Sequence, residues 1–176
     1  MEDIEKNEYQ TIKIGNQEWM AENLRVTKYN DGSDIPLVTD GNEWAALATP
    51  AYCYYNNTTN TDSIKKWGAL YNWYTVNTKK LAPIGWHIPT DAEWNILKSY
   101  LIAVADVSGF SALLGGYRNT GGRFLSQSDC GSWWSATEND ATFAYYRNLY
   151  YGFDNLYRYY NYKSCGFSVR LVRDLN

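Results

Sequence analysis

FAYYRNLYYGFDNLYRYYNYKSCGFSVRLVR, residues 143–173, is the stretch on which the reading of the chain turns. Between Phe143 and Tyr162, ten of twenty residues are aromatic: Phe143, Phe153 and eight tyrosines. Successive side chains of a strand point to opposite faces, so a strand with one buried face places its aromatics on alternate positions. Here they fall in doublets, Tyr145-Tyr146, Tyr150-Tyr151 and Tyr159-Tyr160. One tyrosine of each doublet therefore faces away from whatever core its neighbour enters. Exposed tyrosine supplies a rigid amphipathic contact with a hydrogen-bonding hydroxyl, which suits a recognition surface. A tyrosine-rich antiparallel sheet with one wet face accounts for the same composition.

With Arg147, Leu149, Arg158 and the closing Gly166-Phe167-Ser168-Val169-Arg170 as scaffold, period two places Tyr146, Asn148 and Tyr150 on the opposite side. Beyond a turn at Gly152-Phe153-Asp154, Tyr157, Tyr159 and Asn161 join them. A bulge at Gly152 would reverse that register. The loop 119–130 is expected beside this face. The candidate ligand-binding set is therefore Asn119, Thr120, Arg123, Asp129, Tyr146, Asn148, Tyr150, Phe153, Asp154, Tyr157, Tyr159 and Asn161.

A chain of 176 residues is long enough for one sizeable core, and a single domain over residues 9–176 is expected, after a solvated leader at 1–8. The net charge of −3, with 16 basic and 19 acidic residues, lacks the dense basic face of a nucleic-acid binder. An aromatic content of 17% excludes disorder and favours short strands with packed loops. The acidic opening EDIEKNE has no basic start or apolar run, so neither a signal peptide nor a membrane span is read in it. Three cysteines, Cys53, Cys130 and Cys165, allow at most one disulfide, and no CxxC pair suggests zinc.

Upstream, Thr11-Ile12-Lys13-Ile14, the Gly15-Asn16 pair and residues 17–20 read as a β-hairpin. Residues 27–50 have loop chemistry with one helical turn near 43–47, and 51–55 reads as a short strand. Trp67, Leu70, Trp73 and Tyr74 recur at helical spacing, predicting a short amphipathic helix or helical turn within 65–76. Thr90-Asp91-Ala92-Glu93 is a capping box ahead of Trp94, Leu97, Tyr100 and Leu101, predicting a helix over about 90–103. The remainder is glycine-punctuated. One or two helices followed by short antiparallel strands and long irregular loops make an α+β domain.

Four stretches taken together are specific: WMAENL (19–24), LAPIGWHIPTDAEW (81–94), GGYRN (115–119), and WWSATE (133–138) with the closing GFSVR (166–170). They resemble the Fibrobacter succinogenes major paralogous domain, a family of bacterial surface and lipoprotein modules, from about residue 9 to 174. That resemblance implies a C-type-lectin-like fold of the formylglycine-generating-enzyme branch. It also implies kinship with the variable proteins of diversity-generating retroelements, whose C-terminal end carries a mutable ligand-binding face. The localisation implied is the cell surface or extracellular space, or a phage particle, and the partner a protein or glycan on a cell surface.

The departures matter too. Leu171 stands where the family's closing motif often has cysteine, and Cys165 lacks the neighbouring cysteine that formylglycine-generating chemistry uses, so no enzyme activity is carried over. The lectin calcium triplets Glu-Pro-Asn and Gln-Pro-Asp are missing; Glu138-Asn139-Asp140 only echoes the associated Trp-Asn-Asp. No cofactor is expected. Asp31, Asp34, Asp40 and Asp62 carry oxygens suited to calcium but do not fit a twelve-residue loop, and read better as solvated carboxylates. His87, the sole histidine, reads as a hydrogen-bonded scaffold residue ahead of the helix.

Adenine-directed mutagenesis of an AAC codon never yields Lys, Trp, Met, Glu or Gln. Every residue of 145–165 except Lys163 lies in the reachable set. The leading expectation is a binding module presenting a variable tyrosine-rich face. The alternatives are a fixed-partner structural or adhesive module and, third, an enzyme of the formylglycine-generating type.

Overall fold

The computed structural model describes residues 1–104, 110, 112–153 and 155–175. It is mixed α+β, with short antiparallel strands in small sheets. Strands β1 (Thr11–Ile14) and β2 (Gln17–Met20) form the expected hairpin, with Gly15 at φ +59 in its turn. β10 (Val172–Asp174) pairs antiparallel with the other edge of β2 and sets Val172 opposite Trp19, so one sheet joins the two ends of the domain.

Helix α1 (Gly41–Ala45) falls close to the expected turn, and the Glu43 amide donates to Asp40 Oδ1 at 2.8 Å as its cap. The strand expected at 51–55 shortens to β3 (Tyr52–Cys53). The single helix expected within 65–76 is a correction: helix α2 (Thr61–Trp67) stops there, strand β4 (Leu70–Tyr71) pairs with β3, and helix α3 (Trp73–Asn77) starts anew. Gly68 is the reason. It sits at φ +74, and a Cβ on it would lie 2.6 Å from the Asn23 Cβ, so the backbone turns away from the helical path against residues 23 and 24.

Helix α4 (Asp91–Val104) confirms the capping box. The Glu93 amide donates to Thr90 Oγ1 at 3.3 Å, and the Thr90 amide donates to Glu93 Oε2 at 2.7 Å, which satisfies two helix-end donors reciprocally. Trp94, Leu97 and Leu101 are buried on its inner face, where Trp94 packs on Trp19 with ring centroids 5.2 Å apart. Each such burial contributes roughly 1.5–3 kcal/mol.

A strand pair and a three-stranded sheet complete the fold. β5 (Tyr117–Arg118) pairs with β6 (Phe124–Leu125). β7 (Cys130–Glu138), β8 (Phe143–Tyr150) and β9 (Tyr157–Tyr162) form an antiparallel sheet with β9 at its edge. The closing motif threads between elements: Gly166 bridges Arg118, Phe167 bridges Tyr71, and Ser168 bridges Trp133. Among the described residues no helix is long and apolar enough to cross a membrane.

Residues 1–8 are a second correction, because they are not a solvated leader. Asp3 is buried, its carboxylate accepts from the Tyr9 hydroxyl at 2.7 Å, and Glu5 Oε1 accepts from Thr27 Oγ1 at 2.6 Å. Asp3 and Glu5 take up hydroxyl and backbone donors, while Glu2 and Glu8 stay exposed.

Candidate functional site

The candidate site is built on β8 and β9, and their register decides it. Tyr146 lies opposite Tyr159, Asn148 opposite Tyr157 and Ala144 opposite Asn161, while Arg147 lies opposite Arg158. Tyr146, Asn148, Tyr150, Tyr157, Tyr159 and Asn161 therefore share one face, and Arg147, Leu149 and Arg158 the other. The β8–β9 register is unbroken, so the faces stand as period two places them, and the register shift of this sheet lies in β7, between Trp134 and Glu138.

On the first face the rings make a continuous ladder. Phe167 packs on Tyr146 at 4.6 Å, Tyr146 on Tyr159 at 6.0 Å, Tyr159 stacks on Tyr157 at 6.1 Å, Tyr157 meets Tyr150 at 6.0 Å, and Tyr150 meets Phe153 at 6.5 Å. The ladder runs from core to solvent. Phe167 is 1% exposed, whereas Tyr150, Tyr159 and Phe153 are 42%, 43% and 59% exposed. Its inner end is anchored against Trp134, whose indole donates to the Tyr71 carbonyl at 2.8 Å.

Four expected surface residues sit lower in this gradient than period two alone suggests. Asn148 is a correction: it is buried, and its amide donates to Ser132 Oγ across the β7–β8 pair at 2.8 Å. Tyr146 is half-buried, and burial raises its hydroxyl pKa above the usual tyrosine value. Tyr157 and Asn161 are half-buried as well.

Of the loop residues, Asp129 is exposed and its carbonyl accepts from the Tyr151 amide at 2.8 Å, which sets it beside Tyr150. Asn119 instead builds its own turn, accepting from the Gly121 and Arg123 amides. That turn packs on α1, because a Cβ at Gly122 would lie 2.2 Å from the Gly41 carbonyl oxygen. Exposed Arg123 and half-buried Thr120 belong to this turn. Asp154 lies outside the described residues. Tyr117 was missed. Its ring meets Phe167 at 5.7 Å, and it is half-buried beside the inner end of the ladder; the signal was its place in GGYRN, next to scaffold Arg118.

The opposite face is also aromatic. Tyr160 and Tyr162 are 58% and 48% exposed and both pack on Phe143, at 5.5 and 4.6 Å. Arg158 lies over the Tyr145 ring at 3.9 Å and donates to Asp91 Oδ2 at 2.8 Å. Arg147 is fully buried beneath it, 2.7 Å from Asp91 Oδ1, and donates to the Asp91 carbonyl and Asn95 Oδ1. Asp91 thus clamps the first turn of α4 to the sheet. Arg118 and Arg170 are buried too. Arg118 donates to the Val38, Thr39 and Gly122 carbonyls, and Arg170 to Asn23 Oδ1 at 3.0 Å, so these arginines serve the scaffold as expected.

Cys53, Cys130 and Cys165 are free and buried. Desolvation pushes the Cys53 and Cys165 thiols up to about 12. His87 Nε2 lies 2.6 Å from the capping-box Glu93 Oε1, though the imidazole is more exposed than a packed residue would be. The loop aspartates hold structural partners: Asp31 pairs with Lys80, Asp34 with Lys28, and Asp40 caps α1. Among the described residues no three of His, Cys, Asp and Glu group to hold a metal ion.

The family model described as the Fibrobacter succinogenes major domain matches residues 12–108, more than half of the chain. The match covers WMAENL and the GWHIPTDAEW stretch and ends before β5, so the tyrosine ladder lies outside it. No curated protein and no solved structure matches.

Proposed function

The chain belongs to the Fibrobacter succinogenes major domain family, and we propose that it is a ligand-binding module whose tyrosine ladder contacts a protein or glycan on a cell surface. The observation that carries this is the exposure of Tyr150, Phe153 and Tyr159 at the solvent end of a ladder whose other end is locked in the core. A rigid aromatic row with one free end is pre-organised and loses little side-chain entropy on binding. We read the fold as C-type-lectin-like, of the formylglycine-generating-enzyme branch. That reading is supported by the terminal strands paired in one sheet and the separate three-stranded C-terminal sheet. The ladder is then the variable face of a diversity-generating retroelement protein displayed at a surface.

Catalysis has no part in this reading. Cys165, buried and with its thiol pushed up to about 12, is poorly suited to be a nucleophile. The test compares the wild type with the Tyr150→Ala/Phe153→Ala/Tyr159→Ala variant on arrays of bacterial surface proteins and glycans and on intact cells. Binding should fall by about thirtyfold, as loss of an anchor costs, with the melting curve nearly unchanged. Equal binding by both proteins would defeat the proposal.

A fixed-partner structural module is the second reading. It is favoured by the edge position of β9 with exposed Tyr160 and Tyr162, since an unpaired strand edge invites strand-to-strand contact. Sedimentation separates the two: concentration-dependent dimerisation abolished by Tyr160→Lys supports the second reading, and a monomer at all concentrations supports the first.

A further inference from the structure

Away from the ladder, on the far side of Gly116, a pocket of about 200 Å³ opens between α2 and the loop after β6. Two aromatic rings, Tyr55 and Trp67, contribute to its wall, together with Asn56, Thr58, Ser63 and Gln127. Among the described residues no Asp, Glu, Lys, Arg or His lines it. The side chains of Asn56, Ser63 and Gln127 hydrogen-bond to no other described residue, so amide and hydroxyl groups stand ready for a ligand. None of these residues belongs to β7, β8 or β9.

The backbone around the pocket is strained. Of the six non-glycine residues at positive φ among the described residues, four flank it: Asn56 and Asn57 at 50° and 51°, Ser126 and Ser128 at 62° and 70°. Such conformations persist only where the surroundings over-determine them, and they cluster at ligand sites. Here the surroundings are evident. The Ser128 amide donates to the Leu114 carbonyl at 2.8 Å, and the Asn57 side chain donates to the Thr39 carbonyl at 3.0 Å. Gly116, at φ +70, is wedged so closely that a Cβ would lie 2.7 Å from the Gln127 amide nitrogen and 2.8 Å from the Tyr55 ring. One glycine therefore sets the spacing of the two walls.

We propose that this pocket binds an uncharged monosaccharide unit, a pyranose ring at the end of a glycan. The chemistry selects it. Aromatic rings take the apolar C–H face of a sugar, while unpaired neutral amides and hydroxyls both donate and accept, as a ring of hydroxyls requires. The Lys66 ammonium beside the lining lies 4.3 Å over the Trp67 ring and is engaged with that ring, and the groups that line the pocket are themselves neutral. A drug-sized molecule needs roughly 300–1,000 Å³, so the volume limits the occupant to about one ring.

The test is saturation-transfer NMR and tryptophan fluorescence with the methyl glycosides of glucose, galactose, mannose and N-acetylglucosamine, together with glucuronate. Six of the eight tryptophans are buried, which leaves Trp67 and Trp86 to report. At least one neutral glycoside should saturate with a dissociation constant on the order of 1 mM, as expected for so small a ligand. Gln127→Ala and Asn56→Gly should each weaken it at least about fivefold at an unchanged melting temperature, since each removes an unpaired amide. Glycine accepts the positive φ at position 56, so that variant removes the amide without disturbing the turn.

The proposal is overturned if no neutral glycoside saturates, if glucuronate binds more tightly than all of them, or if binding ignores both substitutions. Sugar binding lost in Tyr150→Ala/Tyr159→Ala and kept in Gln127→Ala would move the sugar to the ladder, sinking this proposal while sparing the ladder's own role.

Discussion

Arg147→Ala is the sharpest perturbation of the scaffold beneath the ladder. The side chain is fully buried, and its guanidinium holds Asp91 Oδ1 at 2.7 Å, the Asp91 carbonyl at 3.0 Å and Asn95 Oδ1 at 2.8 Å. Truncation removes these bonds and leaves a cavity under β8. Breaking a buried charge pair costs roughly 3–5 kcal/mol. Asp91 keeps Arg158 as a partner and is 16% exposed, so the lower end, about 3 kcal/mol, applies. For a domain of this size that lowers the melting temperature by roughly 6–12 °C. Arg158 shares the same carboxylate but its side chain is 46% exposed, so Arg158→Ala should cost under about 1 kcal/mol. Sequence alone treats the two arginines alike; burial separates them. Thermal and urea melts followed by circular dichroism measure both. Equal losses, or an Arg147→Ala loss below about 1 kcal/mol, would refute the assignment of Arg147 as the buried half of the clamp.

The single variants Tyr150→Ala, Phe153→Ala and Tyr159→Ala should each cost under about 1 kcal/mol in urea melts, as exposed sites do; a larger loss at all three would make the face core. Raised pKa values predict alkaline instability. The Cys53 and Cys165 thiols move from 9 to about 12 and Tyr54 from 10 to about 12, so the unfolded chain loses these protons first. The native state then holds more protons, and stability present below pH 9 falls as pH rises toward 12. Urea midpoints at a series of pH values check this, and a midpoint rising with pH in that window contradicts it. His87→Gln should lower the melting temperature slightly, because it loosens the bond to Glu93 at the start of α4, and leave ladder binding within a few-fold. Lost binding at unchanged stability would show His87 to be a ligand contact.

What was legible in the sequence was local. The capping box declares α4 because its donors and acceptors lie three residues apart, and the period-two faces of β8 and β9 follow from alternation once the strands are granted. What was not legible depended on distant partners. Helical spacing in 65–76 gives way at Gly68 because residue 23 occupies the space a helix would need. Asn148 has the parity of a surface residue, yet it is buried, and Ser132 opposite it on β7 takes its amide. The acidic opening folds down because Tyr9 and Thr27 supply the hydroxyls that its carboxylates accept. The pocket beside Trp67 left no motif, since its residues come from the stretch 55–68, which includes α2, and from Gln127 in the loop after β6, and the two approach each other at Gly116.

The same split between covered and free positions bears on diversification. Lys163, the one residue of 145–165 that an AAC codon never reaches, is buried, holds Glu138 and the Ala141 carbonyl, and lies 4.9 Å over the Trp73 ring. It is scaffold. Arg147, Asn148, Leu156 and Cys165 are reachable but also buried, whereas Tyr150, Phe153, Tyr159, Tyr160 and Tyr162 are exposed. Substitution at the first group costs several kcal/mol, through unpaired polar groups and cavities, and at the second under about 1 kcal/mol. Functional gene copies from one population should therefore vary at adenines in the codons of the exposed group and stay constant at 147, 148, 156, 163 and 165. Sequencing of such copies, with a search for a neighbouring reverse transcriptase and a near-copy of the 3′ end, is the measurement. Variation spread evenly over both groups, or absent from the exposed codons, would remove the ladder's variable role and leave a face made for one fixed partner.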